Sequence, residues 1–371
     1  MYKIPIAKPF FGNEEIENLT TCVQSTWVSS AGKFIDEFEK NFAHYCGTKY
    51  AISTSNGTTA LHLAVMALGI GPGDEVLVPS LTFVSCANVI VYVGAKPVFV
   101  DIDRASWTID PDEIEKHISR RSKAILAVHL YGYPAEMDKI KKIAKRHNLF
   151  LIEDAAEAHG AEYEGKKVGG LGDIGCFSFY GNKIITTGEG GMVTLNNRKI
   201  FDKIVLQKNH GTTGKKRYWH SVVGYNYRMT NMQAALGVAQ LRQIDRFLER
   251  RKEIDMLYRK LLLGIAGIIL PPANTKKRKG VCWQFSMLIE NKTFGMSRNQ
   301  LITFLKRKSI ETRPFFISLH KLPMYKMKNN FPHSDVISQE GISLPTSMHL
   351  SNKEIIYIVH SIKEAQRPKK T

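Results

Sequence analysis

The stretch KAILAVHLYGYPAEMDKIKKIAKRHNLFLIEDAAEAHG, Lys123 to Gly160, sets two apolar runs on either side of a charged segment. In "EMDKIKKIAKRHN" the apolar residues recur at helical spacing, so one face of a helix is apolar and the other charged. The flanking runs, "KAILAVHLYG" and "LFLIEDAAEA", are apolar throughout and do not alternate. Strands covered on both faces have that composition. Strand, helix, strand in succession builds a parallel sheet. The same rhythm extends outward. "KYAIST" precedes the helical "GTTALHLAVMALGI", "DEVLVPS" precedes the helical "FVSCANVIVYVG", and "KPVFVDID" is strand-like again. "DIGCFSFYG" and "GGMVTLN" predict two further strands. The expected fold is α/β, a mostly parallel central sheet with helices on both faces.

Residues 13–46 carry helical spacing interrupted at "SSAGK". After about residue 230 the texture changes. "NMQAALGVAQLRQIDRFLERRKEIDMLYRKLLLGI" is one long helical pattern, charged on one side. It is expected to lead into a smaller C-terminal α+β part that holds "VCWQFSMLIE" and "SRNQLITFLKRKSI". The predicted division is 1–235 for a large domain with an N-terminal helical segment, and 236–371 for linker helix and small domain.

The 371 residues are 43% hydrophobic, ample for a large and a small domain. No apolar run reaches the roughly 18 residues a membrane helix needs. The opening "MYKIPIAKPFFGNEE" lacks the apolar core of a secretory signal, so a cytoplasmic protein is expected. The 5 cysteines are scattered without a CxxC pair, which points to neither a metal site nor a disulfide framework. The net charge of +18 raises nucleic acid as a partner. The basic residues are dispersed, however, and the densest runs, "KKRK" at 276–279 and "RPKK" near the C-terminus, resemble solvated loop or tail. No nucleic acid partner is expected. A positive field also favours anionic small molecules.

Ligands of parallel sheets bind at the carboxyl ends of the strands. "STSNGTTALHLA" is a strand, then Gly57, then a helix beginning near Thr58. Its first-turn amides can hold an anion, Gly57 permits close approach, and the Thr58 and Thr59 hydroxyls can donate; a plain helix cap has the same residues. "FLIEDAAEAHG" ends a buried strand on Glu153 and Asp154. A carboxylate there must be paired or hydrogen-bonded. Asp154 suits a helix cap, or an ion pair with a protonated heterocyclic nitrogen such as that of pyridoxal phosphate. "SFYGNKIITTGEGG", Ser178 to Gly191, sets Lys183 beside Phe179, Tyr180 and Ile184. That is either an exposed loop lysine or one desolvated for a covalent bond to a cofactor. Phosphate cradle, ring-nitrogen acid and lysine occur in the order expected of fold type I pyridoxal phosphate enzymes. Phe83 in "TFVSCAN" could stack on the ring or pack in the core.

"SNGTTALHLA", "VPSLTFVSCAN", "IEDAAEAHGA", "GDIGCFSFYGNKIITTGEGG" and "GYNYRMTNMQAALG" resemble the DegT/DnrJ/EryC1/StrS family of sugar aminotransferases, over about residues 4–350. "RYWHSVVGYNYRMTN" and "RPFFISLHKLPMY" look most like its GDP-perosamine synthase subgroup. The resemblance implies pyridoxal 5′-phosphate as cofactor, bound covalently by Lys183, which also carries protons. It implies that Asp154 meets the pyridine nitrogen, that Glu157 lies near the 3-hydroxyl where many relatives have Gln, and that Gly57, Thr58 and Ser178 hold the phosphate. Asn226 would reach the phosphate of a neighbouring subunit, which implies a homodimer with shared active sites. His159, Arg313, His320 and Tyr325 would contact the sugar nucleotide. Arg228 would meet a carboxylate or phosphate, or form a structural ion pair.

The implied reaction moves the amino group of L-glutamate to C4 of a nucleotide-linked 4-keto-6-deoxy sugar. GDP-4-keto-6-deoxy-D-mannose, a precursor in O-antigen lipopolysaccharide biosynthesis, is the expected substrate, with a UDP or dTDP sugar as the alternative. One departure from the subgroup is Ile317-Ser318, where relatives usually carry Tyr-Pro. A sugar dehydratase on the same fold would carry His in place of Lys183. A DNA-binding regulator on this fold would need an appended helix-turn-helix domain, and none is recognisable.

Overall fold

In the computed structural model, which describes residues 2–366 except 215 and 329, the apolar runs form one seven-stranded sheet. The "RPKK" run at 367–370 lies outside the described residues. The strands are β1 (Tyr50–Thr54), β2 (Glu75–Pro79), β3 (Lys96–Val100), β4 (Ser122–Val128), β5 (Phe150–Asp154), β6 (Ile174–Ser178) and β7 (Gly191–Leu195). Their order across the sheet is β1-β7-β6-β5-β4-β2-β3. From β3 to β6 every pairing is parallel. β7 runs antiparallel to both β6 and β1. Six carboxyl ends therefore lie along one edge. Every residue of β2, β6 and β7 is buried. Successive side chains of a strand point to opposite faces, so both faces are covered, and this is why the runs are apolar without alternation.

The helices follow the expected pattern. Met137–Arg146 buries Met137, Ile140, Ile143 and Ala144 and leaves its lysines in solvent. The N-terminal helices Asn13–Gln24 and Lys33–Cys46 are separate, broken where "SSAGK" interrupts the pattern. Phe38 and Phe42 of the second pack on Phe179 and Phe177 at 5.0 and 4.9 Å.

The long helical pattern after residue 230 is two helices, Asn231–Arg242 and Ile244–Leu262, with the break at Gln243 (φ −100°, ψ 3°). A buried carboxylate spans the break. Glu15 accepts from Gln240 Nε2 at 2.6 Å and from Gln243 Nε2 at 3.0 Å. The first helix is thereby fixed to the N-terminal helices, while the second turns away to the C-terminal part.

That part is a second sheet of β8 (Ile268–Ile269), β9 (Phe285–Ile289), β10 (Arg313–Pro314) and β11 (Gly341–Leu344), antiparallel in the order β8-β9-β11-β10. Its core joins Ile254, Tyr258 and Leu262 to Phe285, Met287, Leu301, Ile355 and Ile358. After β10 the chain returns to the larger core, which takes in Phe315, Leu319, Phe331 and Ile337. The "KKRK" run is partly structured rather than loop. Arg278–Lys279 pair with Glu162–Tyr163, and Lys277 and Lys279 are ion-paired to Asp138 and Glu162 at 2.8 and 3.2 Å.

Candidate active site

The ends of β1 and β6 flank the start of β7, with Thr54 and Ser178 both in register with Gly191. A Cβ on Gly191 would lie 2.3 Å from the Asn56 carbonyl oxygen, so glycine is required for that approach. A Cβ on Gly57 would lie 2.8 Å from the Ser178 Cβ, so the start of helix Gly57–Ala67 is seated against Ser178. Asn56 caps the helix by accepting the Thr59 N–H at 2.9 Å, and Thr59 returns the bond to the Asn56 N–H at 3.2 Å. The Thr59 hydroxyl is thus committed to the cap. Among the described residues nothing accepts from the Gly57 or Thr58 N–H. Two free first-turn donors beside the Ser178 hydroxyl form a cradle for an anion.

At the end of β5 the two carboxylates point to opposite faces. Glu153, fully buried, accepts from the backbone N–H groups of Gly169, Leu171 and Gly172 at 2.6–2.8 Å and from His129 Nε2 at 3.0 Å. The Ala135 N–H donates to His129 Nδ1, so the ring proton sits on Nε2. Glu153 is a structural anion, and Asp154 is the one that faces the site. Its Oδ1 accepts the Ala156 N–H at 3.0 Å and its Oδ2 accepts from the Cys86 thiol at 3.0 Å.

Lys183 sits in the turn after β6, where the Trp283 indole donates to the Asn182 carbonyl at 2.8 Å. Its side chain is 11% exposed. Nζ lies 3.9 Å from Glu157 Oε1 and 4.1 Å from the centre of the Trp283 ring. Burial pushes the amine below its ordinary pKa, Glu157 and Asp154 work against that shift, and the Arg313 guanidinium adds to it. The Glu157 carboxyl is pushed up to about 7, chiefly by burial. The ammonium of Lys183 and the Tyr131 N–H, which donates to Glu157 Oε2 at 2.7 Å, temper the rise. An amine eased toward neutrality beside an acid poised near neutral pH is equipped to move protons.

An aromatic wall closes the site. Phe83, 52% exposed, packs on Phe316 at 5.6 Å. Tyr131 lies parallel to Phe316 and Trp283 within 14°. Its backbone φ of 52° is unusual for a residue with a side chain, and it aims the N–H at Glu157. Trp283, Tyr131, Phe316 and Cys86 escaped the sequence reading. Only Trp283, one of 4 tryptophans, carried a compositional signal.

The remaining expected residues divide. Arg313 on β10 is exposed, and its positive charge is among the influences that lower the Lys183 pKa. Asn226 is exposed and accepts from Arg228 Nε at 3.0 Å. Arg228 also reaches Asn209 and His210, so its partners are amides and an imidazole, not the carboxylate of an ion pair. This segment adjoins the cradle, because the Tyr227 carbonyl accepts the Ser55 N–H at 2.9 Å.

Three further expected residues lie among protein neighbours. His159 is fully buried between Phe177 and Phe179, and burial drives its pKa down to about 3, so it is a neutral core residue beneath the site. His320 is buried with Nδ1 at 2.6 Å from Ser80 Oγ and Nε2 at 3.2 Å from Asp335. The Ser80 contact ties His320 to the end of β2. The Tyr325 hydroxyl donates to Asn88 Oδ1 at 2.6 Å and secures helix Ser85–Tyr92. At the departure from the subgroup pattern, Ile317 is 61% exposed, and buried Ser318 donates to the Ser334 carbonyl at 3.1 Å.

Comparison with known proteins matches the DegT/DnrJ/EryC1/StrS aminotransferase family over residues 9–363. The chain is 45% identical to GDP-perosamine synthase of Escherichia coli O157:H7, covering 98% of this chain and 99% of that one. It is 44% identical to GDP-perosamine synthase of Caulobacter vibrioides, covering 97% of each. The structure superposes on the PLP-form of the putative sugar aminotransferase Spr1654 from Streptococcus pneumoniae with a TM-score of 0.92, at 28% identity over 98% of this chain and 99% of that one. The α/β architecture is that of fold type I, and the chain belongs to the DegT/DnrJ/EryC1/StrS aminotransferase family.

Proposed function

We propose that the protein transfers the amino group of L-glutamate to C4 of GDP-4-keto-6-deoxy-D-mannose, giving GDP-perosamine, with pyridoxal 5′-phosphate as cofactor. The observation that carries the reading is the Lys183 amine, buried at the strand ends between Glu157 and the Trp283 face. Near-full-length identity to the two GDP-perosamine synthases supports the GDP sugar. The residues fit the cofactor. The free N–H groups of Gly57 and Thr58 with the Ser178 hydroxyl suit a phosphate. Asp154, held by two donors, suits a pyridinium nitrogen. When bound, the cofactor supplies an electron sink for charge developing at the substrate carbon.

The chain's own residues do the rest. The Lys183 amine takes the proton from the amino-bearing carbon of glutamate and delivers it within the site; in the second half it works in the reverse sense on C4 of the sugar. Glu157, within 3.9 Å, accepts or supplies the proton that sets the amine's charge. Phe83 offers an aromatic face to a flat ring. Arg313 offers a cation to the carboxylates or phosphates of the reactants.

A homodimer completes this reading. The loop leading to Asn226 exposes Trp219 (60%) and Val223 (84%), apolar surface that a second copy would cover while Asn226 reaches its phosphate. Free cysteines suit a reducing compartment such as the cytoplasm, and no helix among the described residues is long and apolar enough to cross a membrane.

The test is a panel of GDP-, UDP- and dTDP-linked 4-keto-6-deoxy sugars with glutamate as donor. The GDP-mannose derivative should turn over fastest. Faster turnover of a UDP or dTDP sugar would replace the substrate. No turnover on any of them, with salt-sensitive binding to duplex DNA, would favour the regulator.

A further inference from the structure

We infer that Cys86 is a positioning residue for the Asp154 carboxylate, the middle member of a buried chain Thr82–Cys86–Asp154 that fixes the acid's orientation toward the cofactor ring. The inference rests on the cofactor reading above. Cys86 is fully buried, and its sulfur lies 3.0 Å from Asp154 Oδ2 and 3.4 Å from Thr82 Oγ1. An ionised carboxylate only accepts, so the thiol donates to Asp154 and the Thr82 hydroxyl donates to sulfur. Burial and the facing Asp154 hold the thiol protonated, well above its ordinary pKa, so the donor is permanent. The Ala156 N–H occupies the other oxygen. With one donor on each oxygen, rotation of the carboxylate is blocked.

The geometry extends to the opposite side of the site. Thr82, Phe83 and Cys86 lie in one turn at the start of helix Ser85–Tyr92, closed by the Cys86 N–H on the Phe83 carbonyl at 3.2 Å. That turn exposes the Phe83 ring and buries the Cys86 thiol. It therefore sets the aromatic face and the ring-nitrogen acid from a single piece of backbone. Tyr325 anchors the same helix through Asn88, and Ser80, two residues before the turn, is tied to His320. A thiol is a weak donor. It orients the carboxylate yet draws little of its charge, which leaves Asp154 a strong partner for a protonated ring nitrogen.

The experiment compares wild type, Cys86→Ala and Cys86→Ser. Apo-protein is titrated with pyridoxal 5′-phosphate by tryptophan fluorescence, and the pH midpoint of the bound cofactor's visible absorbance is recorded. Cys86→Ala should weaken cofactor affinity about five- to tenfold and move the absorbance midpoint. Cys86→Ser, which keeps a donor, should restore affinity to within about twofold of wild type. Wild-type behaviour of Cys86→Ala overturns the inference. So does Cys86→Ser failing as badly as Cys86→Ala, because volume rather than the donor would then be at work. Should Cys86→Ala not fold, Thr82→Val carries the test, and an unmoved absorbance midpoint overturns it. Wild-type apo-protein that binds no cofactor overturns the reading of the site itself; a binding wild type with an unaltered Cys86→Ala overturns this inference alone.

Discussion

At the scale of single residues, the site is a pair whose charges are set by burial. Glu157 ordinarily titrates near 4.5 and is raised to about 7. Between those values the folded state keeps a proton that the unfolded chain releases. This contribution to stability is full below the usual carboxylate range and is lost as pH rises through about 7. Urea unfolding of the apo-protein from about pH 5 to about pH 8 should therefore fall more steeply for wild type than for Glu157→Gln. Parallel slopes in the two proteins would refute the assignment. Lys183, Asp154 and the Gly57 turn were legible in the sequence because each is framed by its own neighbours. Trp283, Tyr131 and Cys86 were not, because only packing of distant segments brings them to Lys183 and Asp154. The neighbours of His320 were hidden for a related reason: Ser80 and Asp335 are remote from it or from each other in the chain.

At the scale of elements, the parallel strands were readable because burial on both faces forces an unbroken apolar run. The break at Gln243 was not, since helical period continues through it, and Glu15, which bonds to both Gln240 and Gln243, lies near the other end of the chain. The element that matters most for binding is helix Gly57–Ala67, whose start must come within contact of Ser178. Gly57→Ala places a Cβ 2.8 Å from the Ser178 Cβ, so helix and strand must separate. Affinity for pyridoxal 5′-phosphate should fall about tenfold or more, the cost of losing one well-placed anion contact. Gly71→Ala, whose Cβ would meet nothing nearer than 3.9 Å, should leave affinity unchanged. Equal titrations for the two variants would detach the cradle from the cofactor.

At the scale of the whole molecule, the residues proposed for the site come from both sheets. Lys183 and Asp154 stand at the ends of the large one, while Arg313 comes from β10 of the small one. The alternation of strands and helices foretold the first sheet. The return of residues 315–337 to the larger core could not be read, because those residues carry no period that distinguishes one core from the other. The exposed loop at Trp219 and Val223 makes pairing testable by sedimentation. Wild type should sediment as a dimer. Trp219→Glu combined with Val223→Glu should give monomers with weakened cofactor retention. A monomeric wild type, or a variant that remains dimeric, would remove the shared site.

The proposed function depends on a covalent bond from one amine, that of Lys183, to the cofactor. Holoprotein reduced with borohydride, digested and analysed by peptide mass spectrometry should carry a pyridoxyl adduct on Lys183 and on no other lysine. An adduct elsewhere in the chain, or none on Lys183, would overturn this role.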